Sequence, residues 1–227
     1  MKILSNLFLN IAIQDSLRQL FPSLTLGCLQ ASVVVKPSDE VQKNDMLQIC
    51  DDLAKVLTCE LIRALPVVEI TKNAYRKMGK DPNRYRPSAE SLLRRVASGK
   101  GLYFVNNVVD VLNMVSVQTG FSICGYDADK IDGDISFGTG VENELYEGIG
   151  RGILNIENMF VFRDNKGAFG TPTSDSTRTM VTESTKRFLM IFPSFGTDAE
   201  LDKALQLSSQ YLEKYSDATN IIINIYP

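Results

Sequence analysis

The chain has 227 residues, carries 24 Lys and Arg against 27 Asp and Glu for a formal charge of −3, and contains neither histidine nor tryptophan. A Ser-His-Asp or Cys-His nucleophile system and any His-ligated zinc site are therefore excluded within it, and acid–base chemistry falls to Asp, Glu, Lys, Tyr, Cys or ordered water. The pI near 5.2 argues against a general high-affinity nucleic-acid binder. No apolar run reaches the roughly 18 residues of a membrane helix, and Cys28, Cys50, Cys59 and Cys124 lack C-x-x-C spacing, as expected of reduced thiols in a cytoplasmic protein.

Met1–Ile13 is apolar with Lys2 near its start, but Ser5, Asn6 and Asn10 interrupt it and no small-residue cleavage site follows, so a first strand or buried segment is expected. Alternation at Leu29, Ala31, Val33 and Val35 predicts a half-buried strand within 24–35. Ser38 is placed to cap a helix over roughly 39–64, with Asp39 and Glu40 in its first turn and Cys50 and Cys59 in its core. Pro66 to Thr71 reads as a short extended piece, and 76–87 as a structured loop. A helix capped by Ser88 follows, burying Leu92, Leu93 and Val96 and ending at Ser98-Gly99. Residues 105–117 are ambiguous between strand and helix. Short strands are expected near 121–125, 131–137, 157–163 and 187–192, with a hairpin turn at Asp164-Asn165-Lys166-Gly167. The glycines of 138–152 form no phosphate-binding loop and are assigned to turns and bulges. Thr197 to Glu200 matches a capping box for a helix over 198–215, and Thr219–Tyr226 returns as a strand. With no linker, repeat or low-complexity stretch, one α+β domain over 1–227 is the economical organisation.

Two features carry functional information. Residues 76–100 hold eight Lys or Arg against Asp81 and Glu90, +6 in one segment, which leaves −9 on the rest of the chain. Such asymmetry suits steering of a polyanion to one face, and equally a solvated surface with local ion pairs. Tyr75, Tyr85 and Tyr103 lie in or beside this cluster, as they would where single-stranded RNA docks. Second, helical spacing would place Asn106, Asp110 and Asn113 on one face of 105–117. That row either lines a site or forms a structural network in which Asp110 clamps a neighbouring backbone.

The run Tyr75-Arg-Lys-Met-Gly79-Lys-Asp-Pro82, with Tyr85-Arg-Pro-Ser88-Ala-Glu90 and Leu92-Leu-Arg-Arg95, resembles the solo B3/B4 domain proteins. These are freestanding relatives of the B3/B4 region of the phenylalanyl-tRNA synthetase β subunit. Asn106-x-x-Val109-Asp110-x-x-Asn113, Gly120 through Tyr126-Asp127, and Val181-Thr-Glu-Ser-Thr-Lys186 extend the resemblance over about 60–195. It implies an α+β, B3/B4-type fold with mixed sheets in a sandwich-like arrangement and flanking helices. It also implies an editing module that binds tRNA or other RNA and hydrolyses mischarged aminoacyl-tRNA, or a non-catalytic module for RNA or an amino-acid-like small molecule. No cofactor, metal, membrane or DNA is implied. Two positions depart from the synthetase pattern: Cys124 stands where that pattern has a histidine, and Asp175 to Met180 lacks its glutamate. On this resemblance Asp110, Asn113 and Cys124 would be the catalytic candidates, and Asn106, Asp127, Thr177 and Arg178 would contact substrate. RNA would meet Arg76, Lys80, Arg84, Arg86, Arg94 and Arg95. The reading requires the cationic surface and the Asn106/Asp110/Asn113 row to border one hollow.

Overall fold

In the computed structural model, which describes residues 9–227, the chain runs β1 (Ile11–Ile13), α1 (Asp15–Leu20), β2 (Thr25–Ser32), α2 (Glu40–Val56), α3 (Cys59–Ala64), α4 (Pro66–Lys77), α5 (Ser88–Ala97) and α6 (Asn107–Thr119). It continues with β3 (Cys124–Asp127), β4 (Ile135–Thr139), β5 (Glu147–Gly148), β6 (Gly152–Ile153), β7 (Phe160–Asp164), β8 (Gly167–Gly170), β9 (Arg187–Ser194), α7 (Asp198–Ser216) and β10 (Thr219–Tyr226). Most of the Met1–Ile13 segment lies outside the described residues; its last three residues form β1.

Two four-stranded sheets face one another. The first has the order β1-β4-β7-β8, with β1 parallel to β4, and the second the order β10-β2-β9-β3, antiparallel throughout. Helices cover the other side of the second sheet, which is therefore buried on both faces. Side chains of β9 alternate accordingly: Phe188, Met190 and Phe192 join the helix-side core, and Leu189 and Ile191 the core between the sheets. On β2, Leu29 and Ala31 face the helices while Leu26 and Cys28 face the first sheet. Aromatic side chains fill the space between the sheets, with Phe137 stacked on Phe162 at 4.4 Å between centroids and Tyr126 edge-on to Phe169 at 4.9 Å.

Several expected boundaries shift for local reasons. The single helix foreseen over 39–64 is two, because Leu57 is extended and the Thr58 side chain accepts from the Leu61 N–H to cap a new helix. Cys50 is buried, but Cys59, at the start of α3, is exposed. Asp39 rather than Ser38 caps α2. The piece expected to be extended at 66–71 is the start of α4: Pro66 occupies its first turn, where a missing N–H costs nothing, and Val67, Val68, Thr71, Ala74 and Tyr75 form its buried stripe. The ambiguous 105–117 segment is helix α6, capped by the Asn106 side chain and ended by Gly120 at φ 79°. Thr197 does precede α7, but its hydroxyl bonds Ser194 Oγ at 3.0 Å and not the helix.

Gly170 packs directly against the buried Tyr126 ring, and a Cβ there would lie 1.8 Å from the phenol oxygen. Gly170→Ala is expected to destabilise the domain by about 1–3 kcal/mol, the usual cost of overpacking a rigid neighbour; urea denaturation would show a lower midpoint with unchanged slope.

Candidate functional site

A cleft of about 740 Å³ opens on the helix side of the second sheet, between α5, α6, β3 and the segment 171–181, with the tip of the β5–β6 hairpin at its rim. Leu92, Val109, Leu112, Ile123, Val181 and Phe188 give it an apolar wall. Its polar groups include Ser88, Arg95, Asn113, Arg151, Thr173 and Asp175. Gly125 also lines it, and a Cβ there would come within 2.5 Å of Leu112 Cδ1, so glycine keeps this wall open.

Asp175 is the most perturbed group in the cleft. Its Oδ2 receives only a long contact, 3.4 Å, from the Gly125 N–H, and its buried Oδ1 has no partner. Burial pushes the carboxyl from 3.8 up to about 7, with the Gly125 N–H and the nearby Tyr126 hydroxyl opposing that shift. The Tyr126 hydroxyl is itself buried and unpartnered, so the two groups approach one another without forming a well-aligned hydrogen bond. Ser88 Oγ and Arg95 Nε are likewise buried and unpartnered, and both residues line the cleft. Unsatisfied polar atoms are rare in folded proteins, and three of the seven buried ones among the described residues, on Asp175, Ser88 and Arg95, belong to residues that line this cleft.

The structure separates the residues proposed from sequence. Asn113 lines the cleft, but Asn106 is spent as the cap of α6, its Oδ1 accepting from Val108 and Val109 N–H. Asp110 is fully buried and clamps backbone and side chain, accepting from Ser38 Oγ at 2.5 Å and from the Val105 N–H at 2.9 Å. Burial raises its pKa despite those donors. Asn107 belongs to the same structural network: it accepts from the Lys36 N–H and donates to the carbonyls of Val34 and Tyr215.

Cys124 does not reach the cleft. Ile123 and Gly125 face it, so strand alternation turns Cys124 into the core between the sheets. Burial, and secondarily the charge of Asp175, raise its thiol well above the ordinary range, the opposite of what a nucleophile needs. Asp127 is buried, accepting from Thr185 Oγ1 at 2.8 Å and from the Asp129 N–H. Thr177 and Arg178 border a separate hollow beside the hairpin, where Arg178 makes a two-pronged ion pair with Asp164.

The basic segment is not one face. Arg94 and Lys72 both bind Glu90, a fully buried carboxylate. Burial alone would raise the Glu90 pKa, but the two cations outweigh it and hold the group below its ordinary value. Lys80 and Arg84 lie over the Tyr85 ring and Arg76 bonds Asn73, while Arg86 has a buried Nε without a partner. Of the six proposed RNA-contacting residues, Arg95 alone lines the cleft. Arg95 and Asn113 thus meet in one hollow, whereas Arg94, Asn106 and Asp110 do not.

Sequence reasoning missed Asp175 and Arg151. Asp175 falls in the 175–180 segment where the glutamate of the synthetase pattern is missing, the one signal that could have pointed to it; its desolvation is created by β3 and the hairpin packing over a loop. Arg151 sat among glycines read as turns.

Two opposed sheets with helices over one of them, and a mixed polar and apolar cleft beneath those helices, define the class: an α+β sandwich with a helix-side ligand cleft. The chain belongs to the B3/4 domain family, whose pattern matches residues 70–222. Among solved structures it is similar to an N-terminal fragment of the phenylalanyl-tRNA synthetase β-subunit from Pyrococcus horikoshii, at 13% identity and a TM-score of 0.51, covering 96% of this chain and 54% of that one. The chain therefore spans about half the length of that fragment, and at this identity the likeness is one of fold. No curated protein matched. Among the described residues, no helix is long and apolar enough to cross a membrane.

Two outcomes follow from this geometry. Asp110→Ala leaves the Ser38 hydroxyl and the Val105 N–H without their acceptor, and is expected to cost about 1–3 kcal/mol of stability, read as a lower urea midpoint. Asp175 behaves oppositely. Its folded pKa, about 7, exceeds the ordinary aspartate value of 3.8, so the folded state binds the extra proton and stability falls as pH rises from 3.8 to about 7, then levels. Asp175→Asn should flatten that fall and make the variant more stable than the wild type at pH 8, as measured by urea midpoints across the range.

Proposed function

We propose that this domain binds the aminoacylated end of a tRNA in the cleft and hydrolyses the aminoacyl ester there, as a freestanding editing domain. The observation that supports this reading is Asp175: a partly buried, desolvated carboxyl at about 7, with one buried and unpartnered oxygen, in a cleft of about 740 Å³. A general base works best with a pKa near the working pH, and the cleft volume falls in the roughly 300–1,000 Å³ range of small-molecule sites.

In the reaction, a water oxygen adds to the acyl carbonyl carbon while the Asp175 carboxylate takes the water's proton. The tetrahedral intermediate collapses by breaking the bond from the acyl carbon to the ribose oxygen. Asp175 returns the proton to that oxygen, which releases a free amino acid and an RNA with an intact hydroxyl. The apolar wall of Leu92, Val109, Leu112 and Ile123 holds the aminoacyl side chain, and the Asn113 amide and Ser88 hydroxyl offer hydrogen bonds to the acyl group. Such donors contribute most where negative charge develops on the carbonyl oxygen. Cys124 and Asp110 take no part.

A second reading, a binding module for an amino-acid-like ligand without chemistry, is favoured by the long Gly125–Asp175 contact, which leaves the carboxyl loosely held. The two are separated by incubating the purified protein with tyrosyl-tRNA for phenylalanine and a panel of other aminoacyl-tRNAs. Ester cleavage is expected to rise with pH to a plateau above about 7, following ionisation of Asp175. Asp175→Asn should lower the rate by roughly 10²–10⁴-fold while binding is kept. If no aminoacyl ester is cleaved faster than in buffer, or if Asp175→Asn matches the wild type, the hydrolase reading fails.

A further inference from the structure

Arg94, Arg163, Arg178 and Arg187 are each paired with a carboxylate. The other arginines, such as Arg18, Arg63, Arg76, Arg84 and Arg86, have no ion-pair partner among the described residues, and of these unpaired ones Arg95 and Arg151 line the cleft. Arg95 is held in place all the same. Its Nη1 donates to Tyr103 Oη at 2.9 Å, its Nη2 donates to the Lys100 carbonyl at 3.2 Å, and its guanidinium carbon lies 3.7 Å from the Tyr103 ring centroid. Its Nε is buried and has no acceptor. A guanidinium fixed in this way in the wall of a cleft, with no carboxylate beside it, offers its charge and its remaining Nη donors to an anion that enters there.

The second arginine stands on the hairpin. Gly150 and Gly152 flank Arg151 at φ +67° and +65°, a backbone that holds its side chain out on a tight turn. Arg151 is exposed, and the hairpin carrying it is tied to the catalytic loop by the Ile149 N–H donating to the Asp175 carbonyl at 2.9 Å. Beside Arg95, Tyr103 is 60% exposed although the guanidinium packs on its ring, which leaves aromatic surface for a planar group.

From these placements we infer that the cleft mouth is a nucleotide subsite, in which Arg95 and Arg151 grip a phosphate and Tyr103 stacks a nucleobase. The inference rests on the proposed ester-hydrolase reading for its biological setting and adds to it a role for the rim. The phosphate and base could belong to a free nucleotide or to the end of an RNA strand; the shared chemistry is a phosphorylated, base-bearing ribose. Arg95 and Arg151 are binding residues here, and Asp175 is the acid–base group.

The test uses the full chain with AMP, adenosine and inorganic phosphate as probes, followed by isothermal titration calorimetry. AMP is expected to bind at least tenfold more tightly than adenosine, with affinity falling as salt rises. Arg151→Ala, at an exposed turn position, should weaken AMP roughly tenfold and largely remove the preference over adenosine. Arg95→Lys keeps the charge but loses the planar guanidinium fork and should weaken AMP as well. Tyr103→Ala should weaken AMP and adenosine alike, and Tyr103→Phe should restore much of that loss. Binding of a 3′-terminal trinucleotide tighter than AMP would assign the subsite to RNA, and equal binding to a free nucleotide. Equal affinity for AMP and adenosine, no saturable binding of either, or an Arg151→Ala variant indistinguishable from wild type would overturn the subsite. Tyrosine ethyl ester, which has no phosphate or base, keeps the two ideas apart. If the wild type cleaves it in an Asp175-dependent way while AMP fails to bind, only the nucleotide subsite falls. If AMP binds through both arginines and no aminoacyl ester is ever cleaved, the subsite stands and the hydrolase reading falls.

Discussion

Strand β9 and its neighbours β2 and β3 are covered on both faces, by helices on one side and by a second sheet on the other. In a strand, successive side chains must point to opposite faces. Once both faces are buried, each residue's environment is settled by whether its position is odd or even. Phe188, Met190 and Phe192 go to the helices and Leu189 and Ile191 to the facing sheet. The same rule on the short β3 segment puts Ile123 and Gly125 in the cleft and Cys124 in a dry aromatic core. A shift of one residue in register would exchange these roles, and the extensive apolar burial on both sides is what prevents it.

This constraint also explains the electrostatics. Helices packed on a sheet bury whatever polar groups their inward faces carry, and most of those groups are answered within the protein. Glu90 receives Lys72 and Arg94, Asp110 receives Ser38 and the Val105 backbone, and Asn107 ties α6 to the chain after β2 and to the end of α7. Breaking one partner of such a buried set is costly, because the other is left desolvated. Against that background three residues lining the cleft, Asp175, Ser88 and Arg95, each keep a buried polar atom unanswered, as Gln42, Arg86 and Tyr126 do elsewhere in the molecule.

The basic segment shows how a sequence pattern divides when it folds. Eight cations between residues 76 and 100 look like a single surface when written in a line. Folding sends Arg94 inward to a buried carboxylate, lays Lys80 and Arg84 against Tyr85, and turns Arg95 into the cleft on a stack with Tyr103. Arg94 and Arg95 are adjacent in sequence and about 100° apart on a helix, which suffices to give them unrelated roles.

The sequence by itself determined many of the elements and the family resemblance, but not the helical start of α4, the break between α2 and α3, or the helix at 107–119. Alternation marked β2, 3.6-residue stripes marked α5 and α7, and the Asp164–Gly167 turn marked the β7–β8 hairpin, because each is set by contacts within a few residues; the caps expected of Ser88 and Thr197 are not made, Pro87 preceding α5 and the Thr197 hydroxyl bonding Ser194. It also supplied the Asn106, Asp110 and Asn113 row, but not the division of labour within it. Only the tertiary structure decided which of those polar groups met a partner and which faced a cleft. It made Asp110 a clamp through Ser38, 72 residues away, and Asp175 a perturbed acid through Gly125, 50 residues away. Burial and desolvation depend on what the rest of the chain brings alongside a group, and no local pattern of residues carries that information.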